Sequence, residues 1–388
     1  MKRAERKARG KKKASRRPAP SRGRVRSGED ELVRKITAIG AARERGGASG
    51  GGLRLGIGDD AALWRPRPGY ETVLTCDWFL EGTHFLRAKH PPDSVGWKCL
   101  ARAVSDVAAM GGEPRCFLLS LALPASQTGA WLDGFLGGLR RAQRRLGCAL
   151  AGGDVTRSER ILISVAVVGE VARGAAVRRS GAKPGDIVFV SGRLGEAELG
   201  LRRLPAAKRV SERDALLRKH LYPEPRLGLG AWLAKRRLAT AMMDLSDGLS
   251  SDVARLCAAS GVGARIEAAK VPVPRAVGLG EAEALRAALH GGDYYELLFT
   301  VASRHRGRIP RRFGGVPLTP IGVITREGDV LLVTADRSIQ VARSETRGDA
   351  RRVSLGVSTR RGRGERSNDV GARVEPLTPA GWDPFRSR

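Results

Sequence analysis

Apolar residues along the chain recur in two rhythms. Leu32, Ile36 and Ile39 fall four and three apart, which predicts a helix from Glu29 to about Glu44. Trp97, Leu100, Val104 and Ala108 repeat that spacing and predict a helix from Val95 to Met110. A third runs from Trp131 to Leu146 with its arginines on the outer face. Short apolar runs predict strands at Val73 to Cys76, Cys116 to Leu123, Ala149 to Ala151 and Ile161 to Val171. The stretch Ser180 to Asp186 is turn chemistry and marks a domain boundary. Beyond it, strands are expected at Ile187 to Val190, Ala239 to Met243 and Leu297 to Val301. Helices are expected at Gly195 to Leu204, Leu227 to Ala234, Leu249 to Ala259 and Ala282 to Leu289, with a break at Val271 to Pro274. The elements mix without strict βαβ alternation, so the expected class is α/β (α+β) in two domains.

Composition refines this outline. The 388 residues, 41% of them hydrophobic, suffice for a core without disulfides. The five cysteines lie singly with no C-x-x-C pair, which fits a reducing cytoplasm. No apolar run reaches the roughly 20 residues of a membrane span, and the basic N-terminus lacks the apolar stretch of a secretory signal. The net charge of +30 invites a nucleic-acid reading, but its distribution argues otherwise. Residues 1–30 carry 13 Lys/Arg against 3 acids, and residues 342–373 carry 9 against 4, so these two segments hold +10 and +5. Both are poor in apolar residues and read as a disordered tail (1–28) and a basic insertion (about 342–373). Between them lie an expected N-terminal domain at 29–175, with a glycine-rich linker at Gly46 to Gly52, and a C-terminal domain at 176–388. The basic segments lack interleaved aromatics, so no dedicated nucleic-acid site is expected.

The chemistry sits in residues of the opposite sign. Aspartates stand beside small residues in Gly56-Ile57-Gly58-Asp59-Asp60, Thr75-Cys76-Asp77, Ser105-Asp106, Gly152-Gly153-Asp154 and Asp244-Leu245-Ser246-Asp247-Gly248. Any one of these alone reads as an ordinary turn, and the last could merely cap the helix after it. Together, without histidine or cysteine partners, they suit a hard cation such as Mg²⁺. A metal-bridged polyphosphate is the natural occupant, because phosphoryl transfer needs positioning and charge neutralisation. Gly56 to Ala61 formally matches G-x-G-x-x-A, but its two carboxylates would repel a pyrophosphate. No P-loop, kinase catalytic loop or nucleophile elbow is present.

In their order, GIGDDAAL (56–63), TCDWFLEGTHF (75–85), KCLARAVSDVAAMGGEP (98–114), LAGGDVTR (150–157), RRSGAKPGD (178–186), MDLSDGLSSD (243–252) and HGGDYYELLFTV (290–301) resemble the thiamine-monophosphate kinase family. That family is related to aminoimidazole ribonucleotide synthetase. The resemblance runs from about Glu29 to Phe385 and implies two α/β domains, the first pairing with its copy in a barrel-like homodimer interface. It implies direct transfer of the γ-phosphoryl of ATP to thiamine monophosphate, with no covalent nucleophile and with several Mg²⁺ ions. The implied metal ligands are Asp60, Thr75, Cys76, Asp77, Asp106, Asp154, Asp244 and Asp247. Gly153, Asp154, Arg179 and Ser246 would contact ATP, and His84, Asp293 and Trp382 the substrate. An indole on the thiazolium cation would contribute about 1–2 kcal/mol.

Three departures bear on these roles. Cys76 stands where the family usually has threonine, so a metal contact there would have to come from its backbone carbonyl. Asp293 carries the substrate-contacting charge on a shorter arm, and Tyr294 replaces an acid. The basic insertion separates the last expected core strand from Trp382. Two alternatives stand beside the kinase reading. One is a related ATP-dependent enzyme acting on another small phosphorylated or carboxylated molecule, which Tyr294 favours. The other is nucleic-acid binding through the basic segments.

Overall fold

The structure, a computed structural model, describes residues 28–40, 52–57, 59–206, 214–275, 278–335 and 372–384. The expected tail up to residue 27, most of the glycine-rich linker, most of the basic insertion and Phe385 lie outside the described residues.

The first half is built on a four-stranded sheet. Its strands are β3 (Tyr70–Leu80), β4 (Glu113–Leu123), β5 (Ala149–Arg157) and β6 (Leu162–Ala172), in the order β3-β6-β4-β5. Helices α2 (Pro92–Ala109) and α3 (Ala130–Leu146) cover one face, while α1 (Gly28–Gly40) packs beside β5. A two-stranded ribbon, β1 (Gly52–Leu55) with β2 (Leu63–Arg65), precedes them. The period-two alternation decides which face is covered. Phe117, Leu119 and Leu121 of β4 and Ile163, Val165 and Val167 of β6 are buried against Leu100 and Val104 of α2 and Phe135 of α3.

The second half carries an eight-stranded sheet. It comprises β7 (Ile187–Ser191), β8 (Ala239–Leu245), β9 (Gly263–Glu267), β10 (Glu296–Val301), β11 (Arg312–Phe313), β12 (Val316–Thr325), β13 (Val330–Ala335) and β14 (Ala372–Pro376). The path is β14-β13-β9-β12-β7-β10-β8, with β11 pairing on β12. Five helices join them: α4 (Glu196–Arg203), α5 (Ala215–Leu221), α6 (Leu227–Lys235), α7 (Leu249–Ser260) and α8 (Glu281–His290). Ala241, Met243 and Leu245 of β8 and Val253 and Leu256 of α7 anchor one core, while Met242, Phe299, Leu229 and Leu233 anchor the other face. Ala109 of α2 belongs to that last cluster, so the first half is welded to the second by apolar burial.

The differences from the sequence reading have local causes. β3 extends well beyond Val73 to Cys76, because Thr72 and Trp78 on its open face and the polar Glu71 and Asp77 on the other hide the alternation. β5 continues past Ala151 through Gly152 and Gly153, a pair that a turn reading claims first. α5 is only seven residues long, too short for periodicity to register, and is started by Asp214, whose carboxylate accepts from the amides of Leu216 and Leu217. Gly28, placed in the tail, heads α1, and Ala372 and Arg373, placed in the insertion, belong to β14.

Helices α2 and α3 approach so closely that glycine is obligatory between them. A Cβ at Gly96 would lie 2.0 Å from the carbonyl oxygen of Phe135, and one at Gly138 would lie 1.8 Å from that of Asp93. Gly138→Ala is therefore expected to destabilise the fold by about 1–3 kcal/mol or more, read as a lowered urea midpoint. Gly137→Ala, where a Cβ meets nothing, is the control.

Candidate active site in the seam between the two halves

Helix α2 runs along the seam and carries Lys98, Arg102 and Asp106 at intervals of four in a helix rich in apolar residues. That spacing puts the three on one face, about 6 Å apart along the axis. At one end, Thr75 of β3 donates its hydroxyl to Asp106 at 2.5 Å. At the other, the buried Lys98 ammonium donates to Asp293 at 2.7 Å.

The acids of β3 and β8 meet at the Asp106 end. Thr75 and Asp77 point to the helix-covered face of their sheet, since they alternate with Phe79, which is buried there. Ser105, next to Asp106, donates to Asp244 at 2.7 Å across the seam. Burial pushes the Asp244 carboxyl up to about 8, and the charges of Asp106, Asp252 and Asp77 add to the effect against the Ser105 hydrogen bond. Asp77 is also raised, by burial and by Asp106 and Asp247, with Arg102 opposing. Ionised together, these side chains repel one another. A hard cation among them would relieve that repulsion, so the donor set fits Mg²⁺. Among the described residues, no three acids, histidines or cysteines are drawn into a finished coordination shell.

Asp247 and Asp252 form the second wall. Asp252, in the first turn of α7, accepts from the amides of Asp247 and Gly248 at 3.1 Å each. Asp247 does not cap α7; its carboxylate pairs with Arg255, which also meets Asp252 at 2.8 Å. Burial, then the Asp247 charge, raises the Asp252 carboxyl to about 7. The carbonyl of Asp247 accepts from the amide of Trp382 at 2.9 Å, and Ser251 receives the amide of Gly381 at 3.0 Å. The C-terminal segment is thereby tied down beside the acids, and the Trp382 ring lies 5.4 Å from that of His84. His84 is fixed by the amide of Leu80, which donates to Nδ1 at 3.0 Å, so its proton sits on Nε2. Burial first, then Arg102, lowers its pKa to about 4, so the ring is neutral at pH 7.

Asp293 occupies the opposite end. It and Tyr295 adopt left-handed backbone conformations (φ 63° and 51°), a strained pair of the kind that clusters at functional sites. Lys98 and the hydroxyl of Tyr295, at 2.7 Å each, hold its two carboxylate oxygens. Burial opposes its charge, but Lys98, His220 and Arg102 prevail and keep the carboxyl well below the usual carboxylate range. His220 stands 3.4 Å from Lys98 and 3.2 Å from His90, both histidines lowered chiefly by burial. Tyr294 turns the other way, into the core, and donates to the carbonyl of Ala287. The side chain at this position therefore does not line the cleft.

The structure thus brings together Thr75, Asp77, Asp106, Asp244 and Asp247, and places His84, Trp382 and Asp293 beside them. Ser246 lies in the same turn as Asp247, and its carbonyl accepts from the amide of Asp293 at 2.8 Å. Cys76 and Asp154 fall elsewhere. Cys76 points to the open face of the sheet, its thiol 3.3 Å from Ser164, and only its backbone remains for a cation on the Asp77 side. Asp154 is paired with Ser120 across β4 and β5 and shares that open face. Gly153 precedes it with φ 154°, and a Cβ there would lie 1.9 Å from the Leu119 carbonyl oxygen. Asp60 and Arg179 are exposed, Arg179 in the segment running beside β8. Lys98, Arg102, Asp252, Arg255 and Tyr295 were not expected. Only the i, i+4, i+8 stripe of α2 left a sequence signal; the rest are assembled by tertiary contact.

This two-sheet chain with acids facing one another across a seam has a known architecture. Residues 58–171 match the N-terminal domain, and residues 183–334 the C-terminal domain, of the AIR synthase related proteins. The thiamine-monophosphate kinase of Escherichia coli K12 is 39% identical over 291 residues, 73% of this chain and 88% of the relative. That of Bacillus subtilis is 33% identical over 295 residues, 74% of this chain and 90% of the relative. The crystal structure of thiamine-monophosphate kinase from Stenotrophomonas maltophilia has a TM-score of 0.69 at 36% identity, covering 78% of this chain and 95% of that one. AaThiL, solved in complex with AMPPCP and TMP, has a TM-score of 0.62 at 36% identity, covering 71% and 87%. The chain belongs to the thiamine-monophosphate kinase family within the AIR synthase related proteins.

The raised Asp244 pKa has a thermodynamic consequence. An acid whose folded pKa lies above its unfolded value favours folding most when protonated, and that contribution is lost as pH rises from about 4 to about 8. The depressed histidines act in the opposite sense between about 4 and 6.5, so the variant, not the absolute curve, isolates the effect. In cation-free buffer, Asp244→Asn should raise the melting temperature at pH 8 and leave it nearly unchanged at pH 4. An equal shift at both pH values would exclude a titrating Asp244.

Proposed function

We propose that this protein transfers the γ-phosphoryl group of ATP directly to the phosphate of thiamine monophosphate, giving thiamine diphosphate and ADP. An oxygen of the acceptor phosphate forms the new bond to the γ-phosphorus. The β,γ-bridging bond breaks, and its electron pair leaves with ADP. The observation that carries this reading is the pairing of Asp77 and Asp106 with Asp244 and Asp247 across the seam, beside His84 and Trp382. The relatives' names and the AaThiL complex support the same substrates.

In this reading Mg²⁺ supplies charge neutralisation for the polyphosphate. Asp77, Asp106, Asp244 and Asp247 would hold it, with Thr75 and the Cys76 carbonyl beside them; Asp60 and Asp154, which stand outside this cluster, would join only through a second cation or the nucleotide. Gly153, Asp154, Arg179 and Ser246 contact ATP. His84, neutral with its proton on Nε2, donates to the substrate. Trp382 offers its ring to the thiazolium, and Asp293 adds negative charge on the substrate side. Tyr294 turns inward and places no side chain against the acceptor. Purified protein with ATP, Mg²⁺ and thiamine monophosphate should yield thiamine diphosphate, and no product from folded protein would defeat the proposal. Asp77→Asn and Asp247→Asn should each lower kcat by roughly 10²-fold.

A homodimer belongs to the same reading. The face of the four-stranded sheet away from α2 and α3 exposes Leu74 (73%), Trp78 (56%) and Leu118 (43%), too apolar a surface for a sheet meant to face water. Sedimentation should find a dimer at micromolar concentration, and Leu74→Asp with Trp78→Asp should give a monomer. Among the described residues no helix is long and apolar enough to cross a membrane.

A further inference from the structure

Arg102 is the one member of the α2 stripe with no hydrogen-bonding or ion-pairing role in the seam described so far. Its neighbours on either side are committed, Lys98 to Asp293 and Asp106 to Thr75. The Arg102 guanidinium stands over the Phe79 ring at 5.4 Å, and its Nε is inaccessible to water with no hydrogen-bond partner. A buried, unpaired guanidinium N–H costs free energy unless a ligand completes it. Four acidic or phenolic groups surround it electrostatically: Tyr295 and Asp293 from the substrate end, Asp77 and Asp247 from the cation end. It also bears on His84. Arg102 therefore stands midway between the groups assigned to the acceptor molecule and those assigned to the cations. On the kinase reading, this is where the acceptor phosphate lies when it attacks.

We propose that Arg102 is a catalytic residue whose guanidinium grips the phosphate of thiamine monophosphate. The inference rests on the kinase reading and deepens it. A guanidinium fork can hold two phosphate oxygens and leave the third to attack the γ-phosphorus. Its charge offsets repulsion between the two phosphates as they approach. The surrounding aspartates keep it protonated and in place when no substrate is bound.

The test is steady-state kinetics of the full-length enzyme with both substrates varied. Arg102→Gln should lower kcat/KM for thiamine monophosphate by at least about 10²-fold and leave the KM for ATP within about twofold. Arg102→Lys keeps the charge but loses the fork and should remain at least tenfold impaired; it serves where the glutamine variant does not fold. Guanidinium ion added to Arg102→Ala should restore turnover, which a merely structural role would not allow. Wild-type kinetics in the folded variants, or a rise confined to the KM for ATP, would overturn the assignment. If the wild-type enzyme makes no thiamine diphosphate, the kinase reading fails. If it does and the variants match it, only the role of Arg102 fails.

Discussion

The seam depends on how charge is buried along one helix. Lys98, 1% exposed, sits in a helix otherwise packed with Leu100, Val104 and Val107. An ammonium in that position is tolerable only when it is paired, and its partner, Asp293, belongs to the other half of the molecule. The ion pair therefore fixes where the second domain's loop stands relative to the first. At the far end of the same helix, Ser105 reaches Asp244 and Asp106 receives Thr75, so both domains are registered against one polar stripe. The apolar weld around Ala109, and the approach of Gly230, where a Cβ would lie 2.0 Å from the Ala108 carbonyl oxygen, hold the helix close enough for those contacts to form.

Function follows from the imbalance left over. Carboxylates outnumber cations at the Asp106 end, and burial first, then the neighbouring acids, raises the pKa values of Asp244 and Asp252. A site that is uncomfortable when empty is well suited to bind divalent cations with a polyphosphate, because binding removes a repulsion as well as making contacts. The overall charge of +30 says little about this. Half of it lies in the two basic segments, whereas the chemistry belongs to a local cluster of the opposite sign.

Much of this was legible in the sequence. The amphipathic spacing of α2 and α3 and the apolar runs of β4 and β6 gave the first domain's layers, because each element buries one continuous face. The aspartates were visible through their small neighbours, and five of the eight candidate ligand residues prove to be neighbours in space. What stayed hidden depends on long-range contact. Nothing local reveals that Lys98 will find Asp293, 195 positions later, or that Asp252 will serve the turn before its own helix. The alternation of β3 explains why Thr75 and Asp77 join the site while Cys76 between them does not: successive side chains of a strand face opposite ways.

The most direct measurement is a crystal structure of the protein with a non-hydrolysable ATP analogue, thiamine monophosphate and Mg²⁺. The account predicts cations on Asp77, Asp106, Asp244 and Asp247, the thiamine ring beside Trp382 and His84, and its phosphate on Arg102. A nucleotide bound elsewhere with the seam free of cations would contradict it.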